Sequence, residues 1–75
     1  MEQQIFNFTG LKCPLPVLKA RRALKSIEIG QLVTITADDP AAPLDFQHFC
    51  ETAGHNLEYQ SEKDGLFTFM IRKSI

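Results

Sequence analysis

At 75 residues and 44% hydrophobic, the chain can build one small core and no second one, because typical domains run about 100–150 residues. Its net charge of −1 excludes a global field for nucleic acid, yet residues 3–27 carry Lys12, Lys19, Arg21, Arg22 and Lys25 with no acid, leaving +5 there against −6 elsewhere. Two cysteines exclude a disulfide framework, no stretch approaches the ~20 apolar residues of a membrane span, and Met1-Glu2-Gln3-Gln4 lacks the basic-then-apolar pattern of a secretory leader.

Gln3 to Phe8 alternates loosely and is rich in Ile and Phe, which predicts a strand broken at Thr9-Gly10. Leu11-Lys12-Cys13-Pro14-Leu15-Pro16 follows. A helix accepts proline in its first turn, where the missing N–H would be unpaired anyway, so Cys13 is expected at the N-cap and Pro14 at the first helical position. Val17, Ala20, Leu24 and Ile27 form the apolar stripe of this helix, and Gly30 is expected to end it. Leu32 to Ala37 is β-branched and alternating, a second strand. Asp39-Pro40 repeats the cap-then-proline pattern, and Ala42, Phe46, Phe49, Cys50 and Ala53 give a second helix stopped by Gly54. Asn56 to Glu62 and Leu66 to Lys73 read as two strands joined at Lys63-Asp64-Gly65, where Asp-Gly is a strong hairpin signal.

The order β-α-β-α-β-β predicts an α/β (α+β) two-layer sandwich, with a mixed four-stranded sheet and both helices on one face, in a single domain over residues 1–75. A strand-helix-strand unit makes a right-handed crossover between parallel strands, so the C-terminal ends of strands one and two share an edge. Cys13 and the Asp38-Asp39 loop are thereby expected at the same edge, where ligand sites of α/β folds gather.

A thiol at a helix N-terminus faces the positive end of the macrodipole, which is expected to lower its pKa. Pro14 and Pro16 bring no N–H, leaving the Leu15 amide as the main free donor, and Lys12, Lys19 and Arg22 add positive charge. Cys50 sits in an apolar stripe and reads as a buried filler. Neither His48 nor His55 is placed near Cys13 by the topology, and the two Cys and two His lack zinc-ligand spacing. A nucleophile without a base points to a carrier rather than an enzyme with turnover of its own. Leu15 and Leu18 fall on the polar side of the first helix with Lys19 and Arg22, and together with Lys12 make a candidate docking patch. Asp39 is accounted for as the second cap. Asp38, if it reaches Cys13, would raise the thiol's pKa or accept a proton.

Gly10-Leu11-Lys12-Cys13-Pro14-Leu15-Pro16 resembles the G-L-x-C-P-x-P signature of TusA/SirA-type sulfur carriers, and Ala37-Asp38-Asp39-Pro40, Phe49-Cys50, Gly54-His55 and Asp64-Gly65 fall where that family places similar residues. Asn7 stands where the family commonly has Asp, and Leu15 where some tRNA-thiolation members are acidic. The resemblance implies that Cys13 carries sulfur as a persulfide, with no cofactor; the missing leader pattern and apolar span lead to the expectation of a cytoplasmic protein with reduced thiols, monomeric when free. The resemblance further implies receipt from a cysteine desulfurase or other donor protein and delivery to an acceptor sulfurtransferase, for example toward tRNA 2-thiouridine or the molybdenum cofactor. Five positive charges spread partly around a helix with no aromatic beside them, and the lack of an apolar span, lead to the expectation of no tight nucleic-acid or membrane binding. Two other classes fit the residues: a thiol redox protein with Cys13 reactive and Cys50 resolving, and a basic-face RNA or protein module in which Cys13 is incidental.

Overall fold

The computed structural model describes residues 4–75. In chain order they form β1 (Gln4–Asn7), α1 (Leu15–Lys25), β2 (Leu32–Ala37), α2 (Ala42–Ala53), β3 (Asn56–Lys63) and β4 (Leu66–Arg72). The expected first-strand residue Gln3, and Met1 and Glu2 before it, lie outside the described residues. The sheet runs β1-β2-β4-β3, with β1 parallel to β2 and β4 antiparallel to both β2 and β3. It is mixed and four-stranded, as the element order implies. Because β4 returns between β2 and β3, both crossover helices lie over one face of the sheet.

Period-two alternation decides which side chains meet them. Val33, Ile35 and Ala37 of β2 are buried, and the facing Ile71, Phe69 and Phe67 of β4 extend the same apolar surface. Thr34 and Thr36 point to the open side. α1 contributes Pro16, Ala20 and Leu24, and α2 contributes Ala42, Phe46, Phe49 and Cys50. At the centre, the fully buried Phe46 and Phe69 stack with ring centroids 4.6 Å apart. Val17 and Ala53, expected in the stripes, are only partly buried at the margin.

Both helices begin later than the cap-then-proline pattern predicts. α1 has Pro14 as its N-cap, with Pro16 in the first turn; α2 has Ala41 as its N-cap, with Pro43 in the first turn. The cause is a tight turn ahead of each helix, closed by Leu15 N–H donating to Lys12 O (2.8 Å) and Ala42 N–H to Asp39 O (2.9 Å). Cys13 therefore stands just outside the helix rather than capping it, and the Leu15 amide is spent on that turn rather than free. α1 also ends earlier than Gly30. Its last turn closes on Ser26, whose N–H and Oγ both donate to Ala23 O, and Arg22 and Lys25 sit favourably near the helix C-terminus. Gly30 belongs instead to the Glu28–Gln31 turn, where its N–H reaches Lys73 O at 2.8 Å. Gly54 does end α2, in the left-handed conformation at φ 84°. Asp64 and Gly65, both at positive φ, make the β3–β4 turn.

Candidate functional site

Parallel pairing of β1 with β2 puts the loops after both strands at one edge, and side-chain hydrogen bonds clasp them together. Asp38 Oδ1 accepts from the Gly10 N–H at 3.0 Å, and Asp39 Oδ2 accepts from the Cys13 N–H at 2.5 Å. Asn7 supports the first loop from below: its Oδ1 accepts from the Thr9 N–H (3.0 Å), the Thr9 hydroxyl (2.7 Å) and the Thr36 hydroxyl (3.4 Å). An amide oxygen thus does the accepting that a carboxylate would do at this position. The Cys13-Pro14 peptide bond is cis. Pro14 is exposed while Pro16 is buried, so the two prolines anchor the chain on either side of the exposed Leu15.

Cys13 is exposed and unpaired with Cys50. Its thiol is held above the ordinary cysteine value, first by hydrogen bonding to the Asp45 carboxylate, then by partial desolvation and by the negative charges of Asp45 and Asp39. This reverses the expectation of a lowered pKa. Lys12, Lys19 and Arg22 are near in sequence, but the charges acting on the thiol are carboxylates from the second strand-helix unit. Asp45 was not among the expected site residues; the available signal was an acid in the first turn of a helix that begins at the Cys13 edge. Asp38 is at that edge too, engaged with the Gly10 amide, while Asp39 combines its turn role at Ala41 with the grip on Cys13.

The other cysteine is buried in the core beside Phe49, and burial pushes its thiol up to about 11. His55 lies at the far end of α2, where its Nδ1 accepts from the Ser74 N–H at 3.2 Å. His48 comes closer than the topology suggested: it shares a groove of about 290 Å³ between α1 and α2 with Pro14, Arg21 and Asp45. Among the described residues no hydrogen bond joins either histidine to Cys13.

Leu15 and Leu18 are 45% and 50% exposed, as the helical angles predict. With Lys19 and Arg22 they line an open groove of about 540 Å³ floored by Phe6 and Phe8. The floor was not foreseen, since it needs β1 at the sheet edge. Lys12 is exposed in the clasped loop.

With this geometry in place, comparison with known proteins is decisive for the family. The family model of the sulfurtransferase TusA matches residues 4–73. The chain belongs to the TusA family. A Neisseria meningitidis protein described as a candidate sulfur carrier is 44% identical over 96% of this chain and 97% of its own. The sulfur carrier protein TusA of Allochromatium vinosum is 38% identical over 95% and 93%. A crystal structure of a SirA-like protein from Desulfitobacterium hafniense superposes with a TM-score of 0.79 at 28% identity, covering 96% of this TusA-family chain and all of the other. No described helix is long and apolar enough to cross a membrane.

Proposed function

We propose that the protein is a sulfur carrier that holds sulfur as a persulfide on Cys13. The observation that carries this reading is the exposed, clasped thiol at residue 13 in a chain that matches the TusA family along nearly its whole length. Cys13 Sγ, as thiolate, attacks the terminal sulfur of a donor persulfide. The donor's S–S bond breaks as the Cys13 S–S bond forms, and the donor leaves as a thiolate, so no net oxidation occurs. An acceptor thiolate repeats the exchange in the other direction. Asp45 accepts from the thiol and disfavours its ionisation, so the thiol proton leaves to water or to a basic group of the docked donor before attack. Pro14 and Pro16 position the thiol, Asp38 and Asp39 hold its loop, and Lys12, Leu15, Leu18, Lys19 and Arg22 meet the partners.

The donor is a cysteine desulfurase or a protein of similar chemistry, and the acceptor a sulfurtransferase serving tRNA 2-thiouridine or molybdenum cofactor formation. The carrier works in the cytoplasm, as a monomer when free, without a cofactor. The test is to incubate the reduced protein with a cysteine desulfurase and cysteine, then weigh its peptides. One added sulfur on the Cys13 peptide is expected, retained in Cys50→Ser. Loading confined to Cys50, or none with several desulfurases, would overturn the reading, and loss in Cys50→Ser would favour a two-cysteine redox cycle.

A further inference from the structure

The two edges of the sheet differ in character. β3 carries Glu58, Glu62 and Lys63 and a bulge between Leu57 and Tyr59, features by which edge strands resist pairing with another chain. β1 reads Gln4-Ile5-Phe6-Asn7, without a charge, and among the described residues it pairs only with β2. The Phe8 N–H donates to Thr36 O at 2.8 Å. Alternation then turns the backbone groups of Phe6 toward β2 and those of Ile5 and Asn7 toward the open edge. Ile5 is 73% exposed.

On the helix side of this edge lies the groove of Phe6, Phe8, Leu15, Leu18, Lys19 and Arg22. It exists because α1 packs over β2 and against α2, leaving the helix-facing side of β1 incompletely covered, so that Phe6 is half-buried and stacks on Phe8 at 5.8 Å. We infer that the β1 edge and this groove form one docking surface, which takes as a fifth strand an extended segment of a partner protein that carries apolar and acidic residues together on one face, at every second position. A strand about 4.8 Å beyond β1 sends every second side chain into the groove. Its apolar residues there meet Phe6 and the two leucines, and its acids meet Lys19 and Arg22. The C-terminal end of β1 runs into the Gly10–Cys13 loop, so a segment on this edge leads toward the thiol. A second copy of this chain is a poor occupant, because pairing β1 with β1 would gather the Lys19 and Arg22 charges of both copies.

The inference rests on the carrier reading for its biological meaning, and the two are tested apart. The probe is a short capped peptide with leucine and glutamate taking turns at every second position and threonine between them, with a counterpart in which lysine replaces glutamate. Binding of the acidic peptide should slow amide hydrogen exchange at Ile5 and Asn7, and the lysine peptide should bind at least about tenfold more weakly. Ile5→Pro removes an outward N–H while sparing the β1–β2 ladder, a place where proline is tolerated; it should weaken the acidic peptide about tenfold, with thermal melting reporting that the fold is kept. Should that variant not fold, N-methylation of alternate peptide amides makes the same test from the other strand, and should abolish binding in one register. Protection at β3 or none at all, equal binding of both peptides, indifference to the proline or the methylation, or a β1-mediated dimer of the free protein would each overturn the inference. Loading of Cys13 by inorganic polysulfide, followed by mass in the unaltered protein, is scored separately: its absence overturns the carrier reading and leaves the docking result standing.

Discussion

Because Asp39 grips the Cys13 amide while Asp45 acts on the thiol, the two carboxylates can be separated by experiment. Asp45 raises the pKa by accepting from the protonated thiol and by repelling the thiolate. In Asp45→Asn the charge is gone, so the thiolate fraction at neutral pH should rise and the midpoint of a pH profile for alkylation should fall. For each tenfold gain in thiolate the lower basicity gives back roughly threefold in nucleophilicity, so the net gain is about threefold. An unchanged or higher midpoint in Asp45→Asn would show that Asp45 does not govern the thiol. The presence of Cys13 at a loop edge was legible in the sequence, since glycine, cysteine and two prolines leave few other placements. Its acidity was not. Asp45, the chief influence, lies on the second helix and Asp39 lies 26 residues further along the chain than Cys13, whereas counting the charges beside Cys13 in sequence selects Lys12, Lys19 and Arg22.

The six elements were legible because the apolar period switches between 2 and 3.6 at the first four breaks and Asp64-Gly65 marks the fifth, and their ends were legible only where one residue type dictates the backbone. Gly54 is such a case. It accepts φ 84°, and its N–H and that of His55 both return to Cys50 O at 3.0 Å. A Cβ there would come within 3.1 Å of Ile75 Cδ1, a flexible chain end that can yield, so the cost of Gly54→Ala is mainly the left-handed backbone, about 1–2 kcal/mol. Melting should fall by roughly 4–8 °C per kcal/mol in a domain of this size. A variant melting with the parent would mean that α2 ends elsewhere. The starts of the helices gave no such signal. A proline two or three residues later fits the first turn equally well, so Pro14 versus Pro16, and Pro40 versus Pro43, is settled by whether a preceding tight turn forms.

Taken as a whole molecule, the fold presents α1 with one groove on each flank, and Leu18 stands on the ridge between them, lining both. The exposed leucines could be read from helical angles alone. The groove beside β1 could not, because it depends on β4 inserting between β2 and β3, which leaves β1 at an edge. This division of buried from exposed apolar residues gives opposite expectations for two truncations. Phe46→Ala removes a fully buried ring stacked on Phe69 and should cost about 3–5 kcal/mol, enough to threaten folding of so small a core. Leu18→Ala, at 50% exposure, should change stability by no more than about 0.5 kcal/mol. Its effect should appear in sulfur transfer, as faster dissociation of donor and acceptor through lost apolar contact. Arg22→Glu places the wrong charge on the groove rim and should slow association, strongly at low salt and weakly once the Debye length shrinks to about 3 Å near 1 M. If Arg22→Glu leaves transfer rates unchanged at low salt, or Leu18→Ala melts like a core cavity, then partners do not approach Cys13 across this face of α1.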